Sequence, residues 1–274
     1  MGKIVWLASY PKSGNTWLRA FLHNFIRQPA MPHSINRLHE LSASECNAVF
    51  FKKYDARPAS QYSTRDVQRM RPLVHEDLTR LHDDLVFIKT HNACLDFHDV
   101  PLCTPAVTAG AIYIVRDPRD VAISYSSYTG LGIDAVIGFM GETNAANRST
   151  DRQVFEFLSS WSNHVASWMG QKRKIVVRYE DLLAEPETAF GKVVRFLGGD
   201  DPVPERLRRA VAFSSFNALA TQEAAEGYVA NAPGSASAFF RQGQTGQWRD
   251  VLSAAQIGRI EMDHAVMMKR FGYI

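Results

Sequence analysis

Cysteine is scarce in this chain. Cys46, Cys94 and Cys103 are odd in number and unpatterned, which argues against a disulfide-built scaffold and fits a reducing compartment. Long apolar runs are missing as well: none approaches membrane-spanning length. Met1-Gly2-Lys3 leads straight into a strand, so no signal peptide is read, and Gly2 lacks the downstream Ser or Thr of a myristoyl site. A cytoplasmic location is expected, with no membrane partner. Excess charge is absent too. At +3 over 274 residues, bulk electrostatics gives no argument for nucleic acid, and any cationic function must be local. His33, His39, His75, His82 and His98 show no metal-ligand spacing and read as surface or loop residues, so no metal site is expected. What the chain does have is ordinary globular composition, 46% hydrophobic, with enough apolar residues for a sizeable core.

Strand and helix signals alternate. Ile4 to Ala8, Leu85-Val86-Phe87-Ile88, Ala111 to Val115 and Lys174 to Val177 are short apolar runs without alternation, suited to strands covered on both faces. Asp117-Pro118-Arg119-Asp120 reads as a helix start, with Asp117 as the cap and Pro118 in the first turn. Phe157, Trp161, Val165 and Trp168 mark an amphipathic helix. Ala189 to Leu197 is helical and stops at Gly198-Gly199. Ser253-Ala254-Ala255-Gln256 reads as a capping box opening the last helix, which Gly272 closes. The pattern predicts α/β architecture, a single domain over residues 1–274 with a P-loop-NTPase-like central parallel sheet flanked by helices. Three long segments, about 28–84, 128–152 and 219–246, resist assignment and read as lids or inserts.

The richest segment is Tyr10-Pro11-Lys12-Ser13-Gly14-Asn15-Thr16-Trp17, where the first strand hands over to a helix. Free backbone N–H groups and the positive end of the helix dipole suit a phosphate there. The segment is not a Walker A loop, because Lys12 precedes Gly14. The strand ends carry Lys12, Lys89, His91, Arg116 and Arg178, and ligands bind at such ends in open parallel sheets. That cationic set points to charge neutralised by side chains, without a divalent ion.

Five segments in order resemble the cytosolic-type sulfotransferases that use 3′-phosphoadenosine 5′-phosphosulfate (PAPS). They are the turn at 10–17, Lys89-Thr90-His91, Arg116 through Ser124, Tyr179-Glu180-Asp181-Leu182, and Arg241 to Arg249. The resemblance implies a sulfuryl transfer that leaves adenosine 3′,5′-bisphosphate (PAP), with no metal. It implies that His91 is the general base, that Lys12 and Lys89 stabilise the transferring group, and that Ser13, Gly14, Asn15 and Thr16 donate to the 5′-phosphosulfate. Arg116, Ser124, Arg241, Gln242 and Gly243 are implied at the 3′-phosphate, and Trp17, Tyr179, Ser214 and Phe216 at the adenine. Gln242 stands where the family usually has lysine, and Gln247 where an acid is common. The family's dimerisation motif is not recognisable in 251–261, so the oligomeric state is open, with a homodimer one option.

Acceptor choice belongs to the long segments, whose aromatics (Phe50, Phe51, Tyr54, Tyr62, Tyr125, Tyr128, Phe139, Tyr228, Phe239 and Phe240) suit a small phenol, alcohol or aglycone, with a saccharide or peptide as the alternative. Trp161, Trp168 and Trp248 read as packing residues. The rival readings are a magnesium-dependent nucleotide kinase on a similar sheet, and a nucleotide-binding module without catalysis.

Overall fold

The computed structural model describes residues 1–229 and 238–274. The described strands are β1 (Lys3–Ser9), β2 (Ser42–Ser44), β3 (Leu85–Thr90), β4 (Asp96–Phe97), β5 (Val100–Pro101), β6 (Thr108–Val115), β7 (Ala146–Asn147), β8 (Glu156–Phe157) and β9 (Lys174–Arg178). Five of them form a parallel sheet in the order β2-β3-β1-β6-β9. Short antiparallel pairs, β4 with β5 and β7 with β8, stand apart from it. In the centre Ala8 aligns with Thr90 on one side and Tyr113 on the other, so the strand ends carrying Lys89 and Arg116 finish level with the first turn.

Alternate side chains of β1 go to opposite faces, as a pleated strand requires. Ile4, Trp6 and Ala8 join a core with Tyr113, Trp161 and Trp168. Val5 and Leu7 join a second with Phe21, Ile112 and Phe190. Phe21, on the first helix (Asn15–Arg27), stacks on Phe190 with centroids 3.9 Å apart. Helices therefore cover both faces, which explains why the strands read as continuous apolar runs. Among the described residues no helix is long and apolar enough to cross a membrane.

The expected caps are present. The Asp117 side chain accepts from the Arg119 amide with Pro118 in the first turn, and Ser253 with Gln256 forms the capping box of the helix Ala254–Arg270. One helix expectation is corrected. Phe157 lies in β8, and the helix runs Trp161–Met169 behind Ser160, whose hydroxyl caps the Asn163 amide. Ser159, at φ 59°, takes the chain out of β8 and prevents helix from starting earlier.

The long segments hold regular structure that their sequence hides. Residues 42–44 are the sheet's edge strand, 64–78 a helix behind a Ser63–Asp66 capping box, 133–141 another helix, and 216–226 a third. Part of the last segment, 230–237, lies outside the described residues. A buried carboxylate ties the first insert to the sheet. Glu45 accepts from Arg71 Nη1, Asn92 Nδ2, Thr90 Oγ1 (2.9 Å) and His75 Nε2 (3.3 Å). His75 is thus a fully buried core residue, not a surface one, because its imidazole satisfies Glu45 on one nitrogen and meets Thr104 on the other. Burial pushes the Glu45 carboxyl up, but Arg71 and His75 outweigh it and hold the group at about 2. Glu45→Ala leaves Arg71 buried and unpaired, so denaturant unfolding is expected to show a loss of about 3–5 kcal/mol. In the parent, the Glu45 contribution is full above the ordinary value of 4.5 and is lost as pH falls toward about 2. An unchanged midpoint in the variant contradicts this.

Candidate active site

A cavity of about 770 Å³ opens beyond the carboxyl ends of the strands. Its floor is the turn after β1. Lys12 (φ 65°) and Gly14 (φ 105°) both adopt left-handed backbone, which bends the turn so that successive amides face the same way. Among the described residues, no backbone partner is seen for the amides of residues 12–16. Ser13 is fully buried, and its Oγ also lacks a partner there, as do Trp17 Nε1 and Arg116 Nε. Only glycine fits at position 14: an added Cβ meets the Tyr179 ring at 2.7 Å. Asn15 Nδ2 donates to the Leu7 carbonyl at 2.9 Å and Ser9 Oγ at 3.3 Å, so this side chain ties the turn to β1 and the donor left for a ligand is its backbone N–H.

Three cations converge here. Arg116 donates to the carbonyls of Lys12 (3.1 Å) and Gln244 (3.0 Å), and its guanidinium lies 4.3 Å from the Tyr179 ring centre. Arg116 makes no ion pair with Asp120 among the described residues. Asp120 instead accepts from the Gly246 (2.7 Å) and Trp248 (3.2 Å) amides and anchors the C-terminal loop. That loop brings Arg241 to the same cavity. Burial, then the Arg241 and Arg116 charges, lower the Lys12 ammonium to about 7. Burial and Arg116 lower Arg241 as well. Lys12 Nζ rests 3.6 Å from the Phe239 ring centre and 4.2 Å from that of Tyr128. Mutually repelling cations beside a row of open amides form a site for a polyanion.

His91 faces this site from the end of β3. Its Nδ1 lies 2.8 Å from the Ser9 carbonyl, which can only accept, so Nδ1 carries the hydrogen and Nε2 the lone pair. Burial, then the Lys89 charge, lower the imidazole to about 3, which keeps it neutral. Lys89 is not a free cation: its Nζ donates to Glu156 Oε1 at 3.1 Å. Burial pushes the Glu156 carboxyl up, yet Lys89 and His91 hold it at about 2. Glu156 escapes a reading of the strand ends because β8 delivers it from far along the chain. The available signal was an acid inside the apolar run Val154-Phe155-Glu156-Phe157-Leu158, where a charge is costly without a partner.

Other expected residues divide. Gly14, Thr16, Trp17, Ser124, Tyr179, Phe216, Arg241, Gln242 and Gly243 all line the cavity. Gly243 (φ 59°) sits so close to Phe216 that a Cβ there meets its ring at 2.3 Å. Ser214 does not reach the cavity, because its Oγ donates to the Ala210 carbonyl at 2.8 Å and closes the preceding helix. Arg178 turns away to stack over Tyr273 at 4.9 Å. Of the aromatics, Tyr125, Tyr128, Tyr228, Phe239 and Phe240 line the cavity. Phe51 is core, and Tyr54 and Tyr62 bond Asp77 and Asp55 outside it. Trp161 and Trp168 pack as expected, both fully buried.

One histidine group departs from the expected scatter: His23, His33 and Glu40 bring their ligand atoms within 4.8 Å. The two rings stack face to face, 3.3 Å apart and 8° from parallel, so their in-plane lone pairs do not converge. Glu40 is already paired with Arg37 at 2.6 Å.

The sulfotransferase domain family model matches residues 3–272. Sulfotransferase 1A1 of Canis lupus familiaris is 25% identical, over 97% of this chain and 83% of its own length. Flavonol 3-sulfotransferase of Flaveria bidentis is 23% identical, over 94% and 79%. Among solved structures, retinol dehydratase in complex with androsterone and inactive cofactor PAP has a TM-score of 0.66 at 19% identity, covering 97% of this chain and 80% of that one. Mouse sulfotransferase SULT7A1 complexed with PAP has a TM-score of 0.59 at 18% identity, covering 97% and 84%. The two solved structures share the fold. The domain match runs almost from end to end and takes in both the turn after β1 and the β3 histidine, and on it this chain belongs to the sulfotransferase domain family.

Proposed function

We propose that this chain transfers a sulfuryl group from PAPS to a hydroxyl or amine of a small-molecule acceptor. The observation that carries the reading is the convergence of Lys12, Arg116 and Arg241 on open amides, with a neutral imidazole on the same cavity. The orphaned Ser13 Oγ, Trp17 Nε1 and Arg116 Nε fit a ligand rich in acceptor oxygens. Relatives at comparable length bear sulfotransferase names, and two neighbours in fold are PAP complexes. When bound, the donor supplies a sulfur whose bond to the 5′-phosphate oxygen breaks as the acceptor oxygen or nitrogen bonds to it, releasing PAP.

The residues then have distinct tasks. The turn at 12–16 and Lys12 hold the 5′ end, while Arg116, Ser124, Arg241, Gln242 and the Gly243 backbone hold the 3′-phosphate. Trp17, Tyr179 and Phe216 flank the adenine with ring faces. His91 Nε2 takes the acceptor's proton, and Ser9 fixes its tautomer. A pKa near 3 makes a weak base, but anionic charge brought alongside favours the imidazolium and raises it. The kinase reading fits less well. Asp117 is engaged by Arg119 at 2.7 Å, Asp120 by the C-terminal loop, and Glu156 by Lys89, so the carboxylates nearest the turn already have partners.

Calorimetry with PAP tests the donor site. PAP is expected to bind at least about thirtyfold more tightly than adenosine 5′-phosphate, the lower edge of what losing a buried charge partner costs. Lys12 sits near 7 and must be charged to meet an anion, so binding takes up a proton and weakens between about pH 7.5 and about pH 9, where phosphate is already ionised. Equal affinity for both nucleotides contradicts the assignment.

A further inference from the structure

The cavity wall beyond His91 differs from an apolar slot. Glu156 accepts from Lys89 and Cys46 (3.0 Å) on Oε1 and from Asn147 Nδ2 (3.2 Å) on Oε2. Tyr125 OH donates to Asn147 Oδ1 at 3.3 Å. Ser44 lies beside Cys46, with Oγ and Sγ 3.2 Å apart. All except Cys46 line the cavity, and Gln153 and Arg148 continue the wall to its mouth. The side chains of Gln153 and Arg148 make no hydrogen bond seen among the described residues, so both have donors free for a ligand. The rings of Tyr128 and Phe239 line the same cavity, and Lys12 Nζ lies over one face of each.

A flat phenol or sterol fits this wall badly. It meets Asn147, Ser44 and the open side of the buried Glu156 carboxylate without returning a hydrogen bond, and each such loss is costly. A ring bearing several hydroxyls satisfies both halves: its hydroxyls meet the carboxylate and amides, and its C–H face lies on the aromatic rings. One lone-pair direction on Glu156 Oε2 can serve a non-reacting hydroxyl, since Asn147 takes the other.

We propose that the acceptor is a polyhydroxylated, sugar-like molecule, and that Glu156 and Asn147 set this specificity by accepting from and donating to its non-reacting hydroxyls. This rests on the donor reading above. The bond changes are those already given, with the sugar oxygen as nucleophile and its proton passing to His91.

The test pairs an acceptor panel with PAP calorimetry. Methyl hexopyranosides and disaccharides are compared with 2-naphthol and a 3-hydroxysteroid, using radiolabelled PAPS, and PAP binding is measured on the same protein. At least one sugar is expected to exceed the naphthol and the steroid in kcat/KM by about a hundredfold or more, since a site built to hydrogen-bond hydroxyls rejects analogues lacking them by up to about ten-thousandfold or more. In Glu156→Gln and in Asn147→Ala, kcat/KM for that sugar is expected to fall about tenfold or more. PAP affinity is expected to stay within about twofold, which a general loss of structure would not allow. If Glu156→Gln fails to fold, Asn147→Ala decides alone. A protein that binds PAP but labels no sugar, or prefers the naphthol, overturns this proposal alone. A protein that does not bind PAP removes the donor reading and this proposal with it.

Discussion

In His91→Ala, kcat is expected to fall by about a hundredfold to ten-thousandfold, the range over which a positioned general base contributes. PAP affinity is expected to stay close to that of the parent. The separation follows from geometry. His91 ends β3, while the amides and cations proposed to hold the donor lie on the turn after β1, at Arg116 and on the C-terminal loop. Its ring is held by Ser9, at the carbonyl (2.8 Å) and more loosely the hydroxyl (3.4 Å), and is only partly covered, so truncation leaves a small polar gap rather than a collapsed core. Single-turnover kinetics with saturating donor read the chemical step directly. A kcat within about tenfold of the parent removes His91 as the base. A parallel loss of PAP binding gives it a structural role instead.

Lys12→Ala is the second large effect. Charge grows on the oxygen that leaves with PAP, and a fixed donor aimed there commonly carries about a hundredfold to a thousandfold in rate. The loss is expected in kcat, with a smaller weakening of PAP. A second readout ties the effect to the ammonium itself. In the parent, Lys12 lies near 7 because burial and two neighbouring arginines oppose its charge, so PAP binding takes up a proton. In the variant that uptake is expected to vanish, and PAP affinity to become flat between about pH 7.5 and about pH 9. Persistent proton uptake places the titrating group elsewhere and contradicts the role given to Lys12.

The parts that could be read from sequence are those whose cause is local. A strand, a turn and a helix in succession place Gly14 and Lys12 whatever the rest of the chain does, and Asp117-Pro118 caps a helix from its own two residues. The parts that stayed hidden depend on distant partners. Glu156 meets Lys89 across 67 positions, and Glu45 meets Thr90 across 45, so no periodicity within a helix or strand could reveal either pair. β2 is three residues long, Ser-Ala-Ser, and joins the sheet only because β3 offers it an edge. Ser214 carried a role by resemblance alone. Its hydroxyl closes the helix it ends, a competition that Ser and Thr often win near helix termini. Reading the strand ends as nearly all cationic was incomplete for the same reason, since the balancing carboxylate arrives from β8.

Fixed side-chain cations and backbone amides, with a neutral imidazole beside them, are proposed to move a sulfuryl group from PAPS to a small acceptor. The direct measurement is incubation of the full chain with radiolabelled PAPS, EDTA and a library of hydroxyl and amine acceptors, followed by separation of labelled products. Label is predicted to appear on an acceptor, with PAP released in equal amount and no dependence on magnesium. Failure to label any acceptor, together with magnesium-dependent consumption of ATP by the same preparation, contradicts the account.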